Sequence, residues 1–226
     1  LKLIERTLKL EITEVINFVR KQLKDEKTGH DFYHGQRVAH LAKKMYLQDN
    51  SNAHQDSRIV AIIEAAGYLH DTIDEKICPD PEIVLTNIQK ILSQVGFTSL
   101  EMKDILFTMQ HMSFSKNIEH HYQLPVSGQY VQDADRIESL GAIGIARAFT
   151  YGGAHGNVIY DPTIKPQKLV SHDQYRQHQE TTINHFYEKL FQLEDLMNTA
   201  GGKKEAHIRT EYMHNFVKEF IQEWDV

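Results

Sequence analysis

Cysteine is nearly absent from this chain: Cys78 is the single one in 226 residues. One thiol excludes an internal disulfide framework and a thiolate-built metal site, the usage expected in a reducing cytosol. Proline is scarce at 5 and glycine moderate at 12, which excludes a disordered low-complexity chain and a fibrous one. No segment approaches the ~18 uncharged apolar residues of a membrane span. The opening stretch "LKLIERTLKLEITEVINFVRKQLKDE" places charges at regular intervals, where a signal peptide has a continuous apolar core. A cytoplasmic protein without a membrane partner is the expectation. Positive charge is also in short supply: 25 Lys and Arg against 31 Asp and Glu give a formal charge of -6. That balance argues against a broad nucleic-acid footprint, which needs clustered cations. Alternating β-branched runs bounded by turn pairs, the signature of strands, are nearly missing too.

What the chain does contain is helical periodicity. Leu3, Ile4, Leu8, Leu10, Ile12, Val15, Ile16, Phe18, Val19 and Leu23 recur at helical intervals and predict one or two helices over 2–24. Gly29 closes that element and Asp31 has the character of an N-cap for the next, "FYHGQRVAHLAKKMYLQ". Further helical runs cover 56–71, 81–95, 99–111, 128–149, 174–198 and 203–224. The expected fold is all-α, a compact bundle of about seven to nine helices forming a single domain over 1–226. A chain of this length buries roughly 70% of its unfolded surface, so a sizeable core is available. The exception is the long segment 150–173, "TYGGAHGNVIYDPTIKPQKLVSHD", whose Gly152, Gly153, Gly156, Pro162 and Pro166 predict an irregular loop. Tyr151 and Tyr160 in it offer ring faces to a pocket, or simply pack.

Histidine is abundant at 14. His30 and His34 in "HDFYH" stand four apart, with Asp31 where zinc proteases of the H-E-x-x-H type place a glutamate. Asp is one methylene shorter, and Gly29 puts His30 at a helix start, so we read His30 and Asp31 as an N-terminal turn with Asp31 as cap. His34, taken alone, reads as a core histidine. It gains meaning beside "AAGYLHDTIDEK", where His70 and Asp71 end an apolar helix, and beside "VQDADRIESLGAIGIARAF", where Asp135 sits among Ala134, Ile137 and Leu140. Three helical blocks then supply two imidazoles and two carboxylates. Such a mixed set suits one divalent metal ion, Mn, Fe, Co, Ni, Zn or Mg, with positions left for water and a phosphate oxygen. Asp133 lies about 160° from Asp135 around a helix and is expected off the metal, as a cap or ion pair.

The pattern H…HD…D, realised as His34, His70, Asp71 and Asp135, resembles the signature of the HD-domain superfamily of metal-dependent phosphohydrolases. "HGQRVAHLAKKM", "YGGAHGNVIYDP" and "TTINHFYEKLFQLEDLMNT" extend the likeness to the small single-domain bacterial type over most of the chain. The resemblance implies an all-helical fold, a bound divalent metal and hydrolysis of a phosphate ester or anhydride, with nucleotides as the usual substrate class. It leaves room for a homodimer. "HDTIDEK" is also similar to the HD-x-x-[ED]-[DE] stretch of guanosine-tetraphosphate hydrolases, which gives Asp74 and Glu75 an acid–base role toward the attacking water. Arg37, His111 and Lys116 are candidate phosphate contacts, and Arg136, about 100° from Asp135, reads as structural. His120 and His121 are adjacent and do not share a helix face, so a second metal is not expected. The favoured reaction is (deoxy)nucleoside triphosphate to monophosphate and pyrophosphate. A nucleoside 5′-monophosphatase, or a metal-stabilised module that binds a nucleotide or protein without chemistry, are the alternatives.

Overall fold

Thr13–Gln22 forms the first described helix, α1, because Val15 and Val19 repeat at one turn and are fully buried. The computed structural model describes residues 10–26, 29–51, 56–74, 78–168 and 181–224. Among these, nine α-helices and short 3₁₀ turns account for all regular structure, and no strand occurs, as the sequence predicts. After α1 come α2 (Phe32–Asp49), α3 (Ser57–Leu69), α4 (Pro81–Val95), α5 (Ser99–His111), α6 (Val126–Glu138), α7 (Gly141–Ala154), α8 (Thr182–Glu188) and α9 (Ala200–Trp224). None is long and apolar enough to cross a membrane. The contacts divide the chain into two compact units, Leu1–Ser113 with Tyr122–Ala134, and Phe114–His121 with Asp135–Val226.

In the first unit α3 is the central element. Ala61, Ile62, Ile63 and Ala65 through Leu69 are all buried, so the helix is apolar almost all round, as a helix enclosed by others must be. It packs most extensively on α2, and α1 and α5 also cover it. The α2–α3 approach is set by backbone rather than side chains: a Cβ on Gly67 would stand 2.6 Å from the Ala39 Cα. Asp31 caps α2 as expected, accepting from the His34 backbone N–H at 2.8 Å. Pro81 opens α4, and Thr98 with Glu101 builds a capping box on α5.

The second unit is built on α7 and α9. Phe149 meets Phe216 and Phe186 at ring centroids of 6.0 and 6.3 Å, and Phe220, stacked on Trp224, extends the cluster to Tyr160. Arg136 donates to the Leu196 carbonyl and is structural, as read from the sequence.

Several boundaries depart from the sequence reading. The predicted 128–149 helix is two, because the chain turns at Ser139 and Leu140 and Gly141 takes φ +70°. The irregular segment starts at His155, not 150, since Thr150–Ala154 complete the last turn of α7. The 174–198 helix reduces to α8 and the 3₁₀ turns Leu190–Gln192 and Glu194–Leu196, with 174–180 outside the described residues. Of 2–24, α1 covers only 13–22, and 2–9 lie outside the described residues. The 56–71 helix stops at Leu69, so His70 is its C-cap and Asp71 begins a tight turn.

Candidate metal centre

The close α2–α3 approach brings the start of one helix against the end of the other, and with them three histidines and an aspartate. His34 lies in the first turn of α2 and has no exposure. His70 and Asp71 follow α3 and are 6% and 8% exposed, a placement that an ionised carboxylate tolerates only with compensating partners. Asp71 Oδ2 is the common point: His30 Nδ1 donates to it at 2.8 Å, His70 Nε2 stands at 3.2 Å and His34 Nε2 at 3.4 Å. Burial by itself lifts a carboxyl pKa. Here the charges of His70 and His30, with the hydrogen bonds they donate, outweigh burial and hold Asp71 well below the usual carboxylate range.

The His70 ring has a defined orientation. Its Nδ1 is 2.8 Å from the Gly67 carbonyl, which can only accept, so Nδ1 carries a proton, and whenever the ring is neutral its lone pair is on Nε2. A lone pair on Nε2 facing a carboxylate oxygen at 3.2 Å is repelled unless a proton or a metal ion lies between them. Backbone support of this kind orients metal-ligating histidines.

The fourth expected residue, Asp135, lies on α6 directly after Ala134. One ligand atom each from His30, His34 and Asp71 come within 4.8 Å of one another. Such a donor set fits a divalent ion, because imidazole nitrogens and carboxylate oxygens match its intermediate hardness.

The remaining candidates are more dispersed. Asp74 is half-buried, and its N–H donates to the Asp71 carbonyl at 3.0 Å, so a tight turn separates it from Asp71. Glu75 lies outside the described residues. Arg37 is half-buried on α2, one turn after His34. His111 ends α5 with Nδ1 donating to the Phe107 carbonyl at 2.9 Å and its ring stacked on Phe107, edge-on to Tyr122. Lys116 is exposed in the 3₁₀ turn Ser115–Asn117 of the second unit. Asp133 is fully buried inside α6 and so is not a cap. His30, which the sequence reading set aside, does precede the helix with Asp31 as cap, and its side chain is tied to Asp71.

Comparison with known proteins places the chain. No protein-family model matches the sequence. The chain is 30% identical to Bacillus subtilis YpgQ over 214 residues, 93% of this chain and 90% of that one. A Lactobacillus plantarum protein of known structure shares 39% identity at a TM-score of 0.80, covering 95% of this chain and 96% of its own. An HD-superfamily hydrolase from Bacillus thuringiensis shares 37% identity at a TM-score of 0.71, covering 95% and 97%. The fold and the buried His and Asp groups define a metal-dependent hydrolase, and the chain belongs to the HD superfamily of metal-dependent phosphohydrolases.

Proposed function

We propose that this phosphohydrolase acts on nucleotides, converting a (deoxy)nucleoside triphosphate to the monophosphate and pyrophosphate. The observation that carries the nucleotide reading is the crystal structure of YpgQ in complex with ADP; that chain superposes at a TM-score of 0.69 over 94% of this one. In the reaction, water adds to the α-phosphorus, the bond from that phosphorus to the α–β bridging oxygen breaks, and pyrophosphate leaves with the electron pair.

His34, His70, Asp71 and Asp135 hold one divalent ion. When bound, such an ion supplies Lewis acidity, polarising a phosphoryl oxygen and acidifying water near neutral pH. Asp74, with Glu75, accepts the proton that the attacking water gives up, a task suited to a carboxylate one tight turn from the ligands. Arg37, Lys116 and His111 offset the charge of the triphosphate, which needs more cations than a monophosphate does.

The test is turnover of separate mono- and triphosphate panels by metal-loaded protein, with products resolved by chromatography and a chelated control. Pyrophosphate appearing from triphosphates, and ceasing with chelator, is the expected result. Free nucleoside from monophosphates with triphosphates untouched would reassign the protein as a nucleotidase. Nucleotide binding without turnover of either panel would make it a binding module.

A further inference from the structure

His30 is the one histidine of the cluster outside the H…HD…D pattern. It is held at both sides along the backbone: Gly29 before it takes φ +98°, a left-handed conformation that favours glycine, and Asp31 after it is the N-cap of α2. Its ring is therefore presented from a fixed point and not from a loose end. The ring is edge-on to that of His34 at 5.8 Å, and Nδ1 reaches Asp71 across 41 residues of sequence. Its contact is also the shortest of the three. At 2.8 Å it has the length of a charge-assisted hydrogen bond, against 3.2 Å for His70 and 3.4 Å for His34 to the same oxygen. With a side chain 23% exposed, against none for His34, it is the outer member.

We infer that His30 is a positioning residue of the metal centre, whose Nδ1–H fixes the Asp71 carboxylate so that the oxygen it shares with His34 and His70 stays turned toward them. An ionised carboxylate oxygen has two lone-pair directions: one receives the His30 N–H, and the other remains on the side of the two imidazoles. Without the donor, Asp71 rotates about its side-chain bonds and the ligand set loses its preorganisation. The inference rests on the reading of His34, His70, Asp71 and Asp135 as the site of a divalent ion.

The experiment is calorimetric titration of Mn²⁺ alone into the chelator-stripped full chain, with circular dichroism to confirm folding of each variant. Loss of an outer donor to a metal ligand weakens metal binding about 10- to 100-fold, the expectation for His30→Ala. Asparagine carries its amide nitrogen where imidazole has Nδ1, so His30→Asn recovers most of the affinity. Glutamine carries it where imidazole has Nε2, so His30→Gln does not. Wild-type affinity in His30→Ala, or an asparagine variant no better than the glutamine one, overturns the inference; the second result would make His30 a direct ligand. His34→Ala separates the two levels. If it binds Mn²⁺ as wild type does, the metal-site reading has failed; if it loses the ion while His30→Ala keeps it, only the role of His30 has. The nitrogen-15 imidazole spectrum of metal-free wild-type protein reads the hydrogen bond directly, and an unprotonated Nδ1 at His30 would also overturn it.

Discussion

Gly67 and Ala39 meet with no room for a methyl group: a Cβ at Gly67 would lie 2.6 Å from the Ala39 Cα and 3.0 Å from its Cβ. The backbone of α3 there is in direct contact with α2, and this crossing sets the distance between His34 and His70. Gly67→Ala is expected to force the helices apart, lowering stability by about 1–3 kcal/mol as overpacking does. It should also weaken Mn²⁺ binding, although no ligand is altered. Chemical denaturation and metal titration of the variant check both. Unchanged metal affinity in a destabilised protein would show that the ligands tolerate the displacement.

Asp135→Asn should abolish metal retention while leaving the fold intact, because asparagine keeps the shape and removes a charge that the ion needs. Asp133→Asn, fully buried two positions earlier, should keep the metal. Its effect falls on stability, at about 1–3 kcal/mol for a buried polar group that loses its match. Elemental analysis of both variants purified without chelator is the measurement, and equal metal loss from both would contradict the assignment of Asp135.

Asp74→Asn should leave the metal content unchanged and lower kcat by about 10²–10⁴, the range of an acid–base group. If the metal is lost with the carboxylate, Asp74 is a ligand or an anchor for the Asp71 turn.

Glu101 joins two duties, capping α5 and pairing with Arg58 at 2.6 Å. Chiefly the hydrogen bond from Arg58 draws its carboxyl down from 4.5 to about 2, with the Thr98 donors adding to the effect. The folded-state value is below the unfolded one, so the stabilisation is complete above pH 4.5 and fades as pH falls through about 2. Solvent screens this partly exposed pair, which limits its worth to about 1 kcal/mol. Urea midpoints of wild type and Glu101→Gln should therefore differ by a constant amount from neutral pH down to about 5 and converge below that. A gap that persists unchanged at pH 3 would mean that the charge is not its source.

How much of this was legible beforehand depends on how local each signal is. Asp31 announces itself as a cap because its partner, the His34 N–H, is three residues away. His34, His70, Asp71 and Asp135 stand out as candidates from the blocks in which they occur. The contact of His30 with Asp71 was not legible because its spacing to His34 directed attention along α2, whereas its partner lies 41 residues further on. The break between α6 and α7 was missed for a similar reason. "ESLGAIG" keeps an apolar helical pattern throughout, and a glycine in such a pattern, Gly141 or Gly144, does not reveal whether its φ is positive. The turn after Leu69 was hidden too, since "HDTID" contains no helix breaker, yet it is this turn that brings Asp71 Oδ2 back against His70 and His34.

The aromatic cluster of the second unit has a spectroscopic consequence. Trp224 is the sole tryptophan of the chain, and it is stacked on Phe220 at 5.7 Å and edge-on to Tyr160 at 5.3 Å. Its emission therefore reports on the second unit, whereas far-ultraviolet ellipticity sums the helices of both. Overlaying the two denaturation curves asks whether the units melt as one cooperative body or in succession. Repeating the overlay with Mn²⁺ present asks which of them the ion stabilises, with no label added to the protein.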